Sequence, residues 1–141
     1  MNLPDKIYEV IKSYPMGALA TMDERGRPRV RYVMLDVARD LTIRFVTSLS
    51  SRKVGEIDKN PEVHIACGAS LADSMAPYVQ VEGRARTSRE GDILKQMWKE
   101  ALKNYFTGPD DPDFCAVIVE PYRIEYYSTT ITPEVWEAVK R

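Results

Sequence analysis

Residues 17–47 read GALATMDERGRPRVRYVMLDVARDLTIRFVT, and they predict three β-strands joined by two short turns. The first strand covers residues 17–22, and the turn after it contains Gly26, a residue type that accepts the positive φ such hairpin turns require. The return strand covers residues 29–36, and the third strand covers residues 41–47. Strands joined by turns this short pair as antiparallel neighbours, so the stretch predicts the start of an antiparallel sheet.

Two helices flank these strands in the sequence. The first covers residues 4–14, because its apolar residues recur at helical spacing on one face, and Pro4 and Pro15 suit its start and its end. The second covers residues 51–59, with Ser51 as the N-cap and Asn60-Pro61 as the stop. Both helices are short enough to pack against a sheet within one domain.

The second half of the chain predicts four more strands and two more helices. Thr87, followed by Glu90, has the spacing of a capping box and predicts the start of the longest helix, with apolar residues at helical spacing up to Tyr105. Thr132-Pro133 predicts the cap of a short terminal helix. The four strands cover residues 62–69, 78–86, 115–119 and 123–128. About seven short strands with helices between and after them predict a mainly β, α+β fold, an antiparallel barrel with packed helices.

Length and composition restrict the class of protein. The 141 residues suit a single domain, residues 1–141, and a net charge of −1 provides no overall attraction to nucleic acid or anionic lipid. No apolar run is long enough for a membrane span, and the polar N-terminus does not suit a secretory signal, so a cytoplasmic location is expected. Cys67 and Cys115 are expected to be reduced buried thiols, and together with His64 they cannot form a zinc site.

The most informative stretch for function is residues 44–53, RFVTSLSSRK, in which a strand ends in hydroxyl residues and a helix opens with Ser51-Arg52-Lys53. Helix N-termini carry unpaired N–H groups and a partial positive charge, so two cations in the first turn oppose the helix dipole. An anion bound there, typically a phosphate, would resolve this conflict. The alternative is a solvated basic helix start.

Arg31 is the second indication of an anion site. It shares one strand face with Val33 and Leu35, and an arginine among core residues needs an anionic partner or a route to solvent. The alternative is an arginine at a sheet edge whose side chain reaches water.

Taken in order, these segments resemble the pyridoxamine 5′-phosphate oxidase-like family of FMN-binding split barrels, in its short general-stress-protein branch. The resemblance covers about residues 16–90 and implies an antiparallel split β-barrel of six or seven strands. It also implies a homodimer with the flavin site at the subunit interface. The matching segments are Arg31-Tyr32-Val33-Met34-Leu35, Phe45-Val46-Thr47, Ser51-Arg52-Lys53, Asn60-Pro61 and residues 78–85.

The resemblance implies a role in FMN binding for each matching position. The second strand would bring an arginine to the FMN phosphate, the end of the third strand would line the flavin, and the following helix start would clamp the phosphate. A tyrosine at the start of a later strand would lie close to the flavin, often from the partner subunit. In this order, the residues are Arg31; Val46 and Thr47; Ser51, Arg52 and Lys53; and Tyr78.

The chain departs from the true oxidases of this family at two places. Asp36 stands where their strand ends in a lysine near the cofactor, and the C-terminal segment that holds their pyridoxal substrate is not recognisable. An acidic side chain near a phosphorylated substrate would repel it. The expected function is therefore that of an FMN-dependent oxidoreductase acting on a small molecule other than pyridoxamine phosphate, with no catalytic residue assigned. The alternatives are a non-catalytic flavin-binding or stress-response module, or a split barrel that uses a deazaflavin or haem.

Several conspicuous residues have simpler structural explanations. His64 is out of phase with the apolar residues of its strand and is expected to be partly exposed. Trp98 is expected in a helix core, and Tyr126-Tyr127 are explained equally well by strand packing or by stacking on a cofactor. The loop acids are expected to shape a turn rather than to bind calcium, and they are Asp110, Asp111 and Asp113.

Overall fold

The computed structural model describes residues 1–69, 76–129 and 131–139. Its helices are α1 (Leu3–Ser13), α2 (Arg52–Lys59), α3 (Gly91–Met97) and a 3₁₀ helix (Glu100–Asn104). Its strands are β1 (Met16–Met22), β2 (Pro28–Met34), β3 (Asp36–Val37), β4 (Ile43–Ser48), β5 (Glu62–Gly68), β6 (Tyr78–Ser88), β7 (Phe114–Tyr127) and β8 (Glu134–Glu137).

The strands form one antiparallel sheet that returns to its own starting point. Its order is β2-β1-β5-β6-β7-β4-β3, and β8 pairs with β7 beside this path. The two ends of the path, β2 and β3, are separated in the chain only by Leu35, which is buried. The sheet therefore closes into the predicted antiparallel split β-barrel, because a single continuous segment forms its first and last strands.

The first hairpin forms as predicted. Every residue of β1 pairs with β2, from Met16 opposite Met34 to Met22 opposite Pro28. Gly26 in the turn has a φ of +73°, the left-handed conformation that favours glycine. Alternate residues of β1 are buried, so one face of the hairpin forms part of the core and the other faces outward.

Apolar side chains fill the barrel, and α1 covers part of it. Ile7, Val10 and Ile11 lie on one face of α1 and are buried in the same cluster as the inward residues of the strands. This is the apolar face that helical spacing predicted for residues 4–14. Both cysteines are free and buried, in agreement with the prediction of reduced thiols. Burial raises the pKa of the Cys67 thiol to about 11.

The predicted helix after Thr87 exists, but its predicted start and length are wrong. Thr87 lies opposite Val117 in the ladder between β6 and β7, so the sheet continues through the proposed capping box. The helix begins only at Gly91 and ends at Met97, because Trp98 is extended and packs edge-on against Phe114, 5.4 Å away between ring centroids. Sheet pairing and this aromatic contact outweigh the helical periodicity of the sequence.

The end of the chain also differs from the prediction. The two strands expected at residues 115–119 and 123–128 are one strand, β7. The terminal helix expected after Thr132-Pro133 is the strand β8 instead, with Glu134 opposite Tyr126 in β7. Trp136 of β8 packs against the main core, and this contact favours an added strand over a free short helix.

Candidate functional site

A cavity of about 770 Å³ lies between β2, β3, β4 and the segment that contains α3 and the 3₁₀ helix. We call it the large cavity. Val46 and Thr47 line it from β4, and Lys53 lines it from the first turn of α2. Aromatic and aliphatic side chains form much of the rest of the wall, among them Met97, Leu102, Tyr105 and Phe106. Such a wall suits a flat, largely apolar ring system.

A smaller cavity of about 320 Å³ is lined by four cationic side chains and one valine. We call it the basic cradle. Three of its cations are residues that the sequence assigned to phosphate binding, and β2 and α2 bring them together as expected. Lys53 lines both the cradle and the large cavity, so the two spaces adjoin at this side chain. The residues of the cradle are Arg29, Val30, Arg31, Arg52 and Lys53.

Lys53 is half-buried and held in place by β4. Its Nζ donates a hydrogen bond to Thr47 Oγ1 across 2.9 Å. Burial, followed by the positive charge of Arg31, lowers the pKa of the Lys53 amine from its ordinary value. Both effects disfavour the charged amine, and a bound anion would offset both.

Arg31 has the anionic partner that its position requires. Its Nη2 donates to Glu56 Oε1 across 2.9 Å, and its Nη1 donates to Thr21 Oγ1 across 2.7 Å and to the Leu19 carbonyl across 3.3 Å. Glu56 and Thr21 are both buried. Sequence reasoning missed both partners, although Thr21 lies in phase with the inward residues of β1 and could have been found from that alternation.

The start of α2 has the features of an anion-binding helix end. Ser51 occupies the N-cap position, as predicted, but its side chain makes no capping hydrogen bond. Its hydroxyl lies 3.4 Å from Thr47 Oγ1 instead. The first turn of α2 contains no acidic residue, so its partial positive charge adds to the charges of Arg52 and Lys53.

Asp113 anchors the loop between β4 and α2. Its carboxylate accepts hydrogen bonds from the hydroxyl of Ser48 and from the backbone N–H of Ser50, the latter across 3.0 Å. The Ser48 bond, and then the Ser50 bond, lower the pKa of the Asp113 carboxyl. Arg89 holds the loop around Asp113 by donating to three backbone carbonyls, those of Asp111, Pro112 and Phe114. The predicted turn role of Asp113 therefore includes positioning the loop that leads into α2.

Asp36 lies at the wall of the large cavity, but its charge is paired. Arg44 Nη2 lies 3.0 Å from Asp36 Oδ2, and Arg44 Nη1 donates to Gln96 Oε1 across 3.1 Å. The neighbouring guanidinium opposes the charge through which Asp36 was expected to repel a phosphorylated substrate. Arg44 and Gln96 line the same cavity, and the sequence did not single them out.

Tyr78 does not lie with the other predicted residues. Its ring stacks on Tyr127, with centroids 4.8 Å apart and planes within 6°. Neither tyrosine lines the large cavity or the basic cradle. Tyr126 packs against the main core, while Tyr127 stacks on Tyr78. His64 is exposed on β5, as expected from its phase.

The outward face of the β1–β2 hairpin carries exposed apolar side chains. Met16, Val30, Tyr32 and Met34 are 51%, 67%, 76% and 55% exposed. Cross-strand pairing places them on one face, which we call the hairpin face, because Met16 lies opposite Met34. Tyr32 and Met34 also line the large cavity, so the hairpin face and the cavity share a border.

The described residues were also compared with the features of metal sites and of membrane-spanning helices. Within residues 1–69, 76–129 and 131–139, no cluster of three or more His, Cys, Asp or Glu side chains is arranged to bind a metal ion. None of the helices in the same ranges is long and apolar enough to span a membrane.

Comparison with known sequences identifies related proteins. Residues 3–128 match the family described as Pyridoxamine 5'-phosphate oxidase. General stress protein 26 of Bacillus subtilis (strain 168) is 32% identical over 120 residues, which cover 85% of this chain and 84% of that protein. A pyridoxine/pyridoxamine 5'-phosphate oxidase of Blochmanniella floridana is 31% identical over 91 residues, 64% of this chain but 37% of that enzyme.

Solved structures show the same fold. The crystal structure of General stress protein 26 from Bacillus anthracis str. Sterne is similar to this chain, with a TM-score of 0.84 and 27% sequence identity. The similarity covers 98% of this chain and 100% of that chain. A heme binding protein from Mycobacterium smegmatis is similar with a TM-score of 0.79 over 97% of this chain and 58% of that one. At 20% identity, the second similarity shows the fold alone.

Proposed function

We propose that this chain, which belongs to the pyridoxamine 5′-phosphate oxidase family and resembles its general stress protein 26 branch, binds FMN. The phosphate would lie in the basic cradle and the ring system in the large cavity. One observation carries this proposal: Lys53 lines both spaces, which places a cationic site directly beside an apolar one. FMN has the same two parts, joined by a short polar chain.

The charges of the basic cradle suit a phosphate. Arg31 from β2 and Arg52 and Lys53 from the first turn of α2 provide three cationic side chains, and the helix dipole adds to their attraction for an anion. Hydrogen bonds from charged donors to phosphate oxygens are each worth about 1.5–3 kcal/mol. The cradle should therefore distinguish FMN from riboflavin, which has no phosphate.

The large cavity suits the flavin rings. Val46 and Thr47 lie at its wall, and the apolar side chains of the 3₁₀ helix segment cover another side. A bound flavin would supply electron-transfer chemistry, and the protein would bind it, orient it and control access to it. Thr47 and Lys53 are already joined by a hydrogen bond, so the polar end of this cavity is ordered.

Flavin titrations test the proposal. The purified protein is mixed with FMN and with riboflavin, and binding is followed by flavin fluorescence and visible absorption. We expect FMN to bind at least about tenfold more tightly than riboflavin, since loss of one charge-assisted bond costs about that factor. Equal affinities would contradict the assignment of the cradle.

We also propose that two copies of the chain associate through the hairpin face. Exposed apolar patches mark interaction surfaces, and this one borders the large cavity at Tyr32 and Met34. A second copy placed on it would narrow the opening of the cavity. Twofold pairing is the commonest closed symmetry of soluble proteins. Tyr78 lies away from the large cavity of its own chain, so in this dimer any contact between Tyr78 and the flavin would come from the partner.

The proposed substrate is a small molecule other than pyridoxamine phosphate. The chain spans about a third of the length of the Blochmanniella oxidase that it matches, 37%, so the activity of that enzyme does not transfer to it. The Asp36–Arg44 pair occupies the cavity wall where the true oxidases have a lysine near the cofactor. Most of the remaining wall is uncharged, with Tyr32, Tyr105 and Phe106 as its aromatic members, and this suits a flat, uncharged substrate or a second redox cofactor.

Other cofactors remain alternatives within the same fold. The Mycobacterium smegmatis protein is named for heme binding, but the single histidine here, His64, is exposed on β5 and lines neither cavity. A haem held by histidine therefore does not suit this site. A deazaflavin with a phosphate would suit the cradle, and a flavin-binding module without turnover would need the same residues. The absorption spectrum of the protein as purified separates haem from flavin, and its flavin emission separates FMN from a deazaflavin.

A further inference from the structure

We infer that Glu56, to which the family resemblance assigned no role, is the positioning residue that orients Arg31 towards the phosphate. This inference rests on the proposed FMN site. Glu56 is a carboxylate of α2 with 7% of its surface exposed, and its two oxygens contact two arginines of the basic cradle, Arg29 and Arg31. A buried charge in this position requires a partner, and Arg31 is that partner.

The contacts between Glu56, Thr21 and Arg31 form a closed cycle. Arg31 Nη2 donates to Glu56 Oε1, Arg31 Nη1 donates to Thr21 Oγ1, and the Thr21 hydroxyl donates to the same Glu56 oxygen across 2.8 Å. Each member therefore fixes the other two. Because the planar guanidinium is held at two nitrogens, its plane and direction are set before any ligand arrives.

The cycle leaves part of Arg31 for a ligand. Its hydrogen bonds within the described residues are three, to Leu19, Thr21 and Glu56, and a guanidinium has five N–H donors. The side chain keeps 22% of its surface exposed and lines the cradle. The remaining donors are thus available to phosphate oxygens from a fixed guanidinium, which lowers the ordering cost of binding.

Glu56 also restrains the neighbouring cation. Its second oxygen, Oε2, lies 3.7 Å from Nε of Arg29, which lines the same cradle. One buried carboxylate therefore contacts two of the four cations and reduces their mutual repulsion. Without it, Arg29 and Arg31, two residues apart on the same face of β2, would lack the carboxylate that pairs with both of them.

A double-mutant cycle tests whether Glu56 acts through Arg31. Four proteins are compared, the wild type, Glu56→Ala, Arg31→Ala and the double variant, by titration with FMN and with riboflavin. We expect Glu56→Ala to weaken FMN at least tenfold and to leave riboflavin within about twofold. In the Arg31→Ala background, Glu56→Ala should cause a much smaller further loss of FMN affinity, because only its longer contact with Arg29 remains.

Two more variants keep the test decisive if Glu56→Ala folds poorly. Glu56→Gln keeps an acceptor at the position of Oε1 and should retain FMN affinity within about threefold. Thr21→Val removes one side of the cycle and should weaken FMN selectively, by less than Glu56→Ala does. Glu62→Ala removes a partly exposed carboxylate that pairs with Arg84 and Tyr122 outside the cradle, and it is the matched control with no expected effect.

Each outcome has a distinct meaning. Parallel losses of FMN and riboflavin affinity would show that Glu56 only supports the fold and would overturn the inference. Tighter FMN binding in Glu56→Ala would also overturn it, because the carboxylate would then act as a repulsive charge. Equal affinity of the wild-type protein for FMN and riboflavin would instead refute the proposed phosphate site, and with it any role for Glu56 there.

Discussion

The amine of Lys53 donates a hydrogen bond to the hydroxyl of Thr47 across 2.9 Å, which joins the first turn of α2 to the end of β4. This contact places one cation at the border between the basic cradle and the large cavity. It also explains why Lys53 stays half-buried, because its aliphatic stem lines the large cavity while its amine reaches the hydroxyl of Thr47. Lys53 is therefore the first residue to test.

Lys53→Ala should weaken FMN binding by about tenfold or more, because it removes a charge-assisted hydrogen bond worth about 1.5–3 kcal/mol. Riboflavin affinity should change much less. Lys59→Ala is the matched control, since Lys59 is an exposed lysine in the last turn of the same helix and pairs with Glu24. Isothermal titration of both variants with both flavins measures these effects. An unchanged FMN affinity in Lys53→Ala would rule out this lysine as a phosphate ligand.

The lowered pKa of Lys53 predicts a pH dependence of FMN binding. Because burial and Arg31 favour the neutral amine, Lys53 of the free protein loses its proton below the ordinary lysine value of 10.5. The ratio of FMN affinity to riboflavin affinity should therefore fall as the pH rises towards that value. In Lys53→Arg the guanidinium stays charged, so the ratio should stay constant. The same decline in both proteins would show that another group titrates.

Tyr32→Glu should convert a dimer into a monomer. The substitution places a charge at the centre of the hairpin face, where burial against a second copy would leave it unpaired. Because Tyr32 also lines the large cavity, FMN affinity should fall together with dimerisation. Ile131→Glu, at a position that is 97% exposed outside the hairpin face, serves as the control. Light scattering reports the mass, and a monomeric wild-type protein loaded with flavin would contradict the proposed dimer.

Cys67 predicts a loss of stability in alkaline solution. Burial raises its pKa to about 11 from the ordinary value of 9.0, so the unfolded thiol ionises first as the pH rises. The neutral Cys67 thiol contributes fully to the free energy of unfolding below pH 9.0, and this contribution is lost as the pH rises towards about 11. Urea unfolding at several pH values should show a steeper alkaline decline in the wild type than in Cys67→Ala. Equal declines in the wild type and in Cys67→Ala would show that other ionisable groups, such as Tyr122, cause the alkaline loss of stability.

Incubation with pyridoxamine 5′-phosphate and oxygen should produce little product. We expect turnover well below about 1 per second, the lower end of ordinary enzyme rates. Formation of peroxide and pyridoxal 5′-phosphate is followed in FMN-loaded protein, with a known oxidase as the positive control. Turnover at ordinary rates would refute the proposal of a different substrate. Reduction of the flavin by a nicotinamide donor, without pyridoxamine turnover, would support a reductase.

The local elements near the site could be predicted from the sequence because each has its own signal. The turn with Gly26 and the alternation of inward and outward residues in the strands beside it are enough to predict the β1–β2 hairpin. A basic segment that follows hydroxyl residues indicates the start of α2. These signals act within a few residues, so they do not depend on the rest of the fold. The family resemblance added the split barrel, and the sheet order agrees with it.

Contacts between distant segments could not be predicted in the same way. The segment that begins at Thr87 has helical periodicity, yet Thr87 and Ser88 pair with β7, and no local signal shows that a strand 30 residues later will extend the sheet through them. Arg31 clearly needed a partner, but the sequence contains many acids, and only the packing of α2 against β1 selects Glu56. By itself the sequence thus determined the turns, the alternation and the cluster of cations. The tertiary structure decided which charges meet, because desolvation makes a buried charge depend on whichever group the fold places beside it.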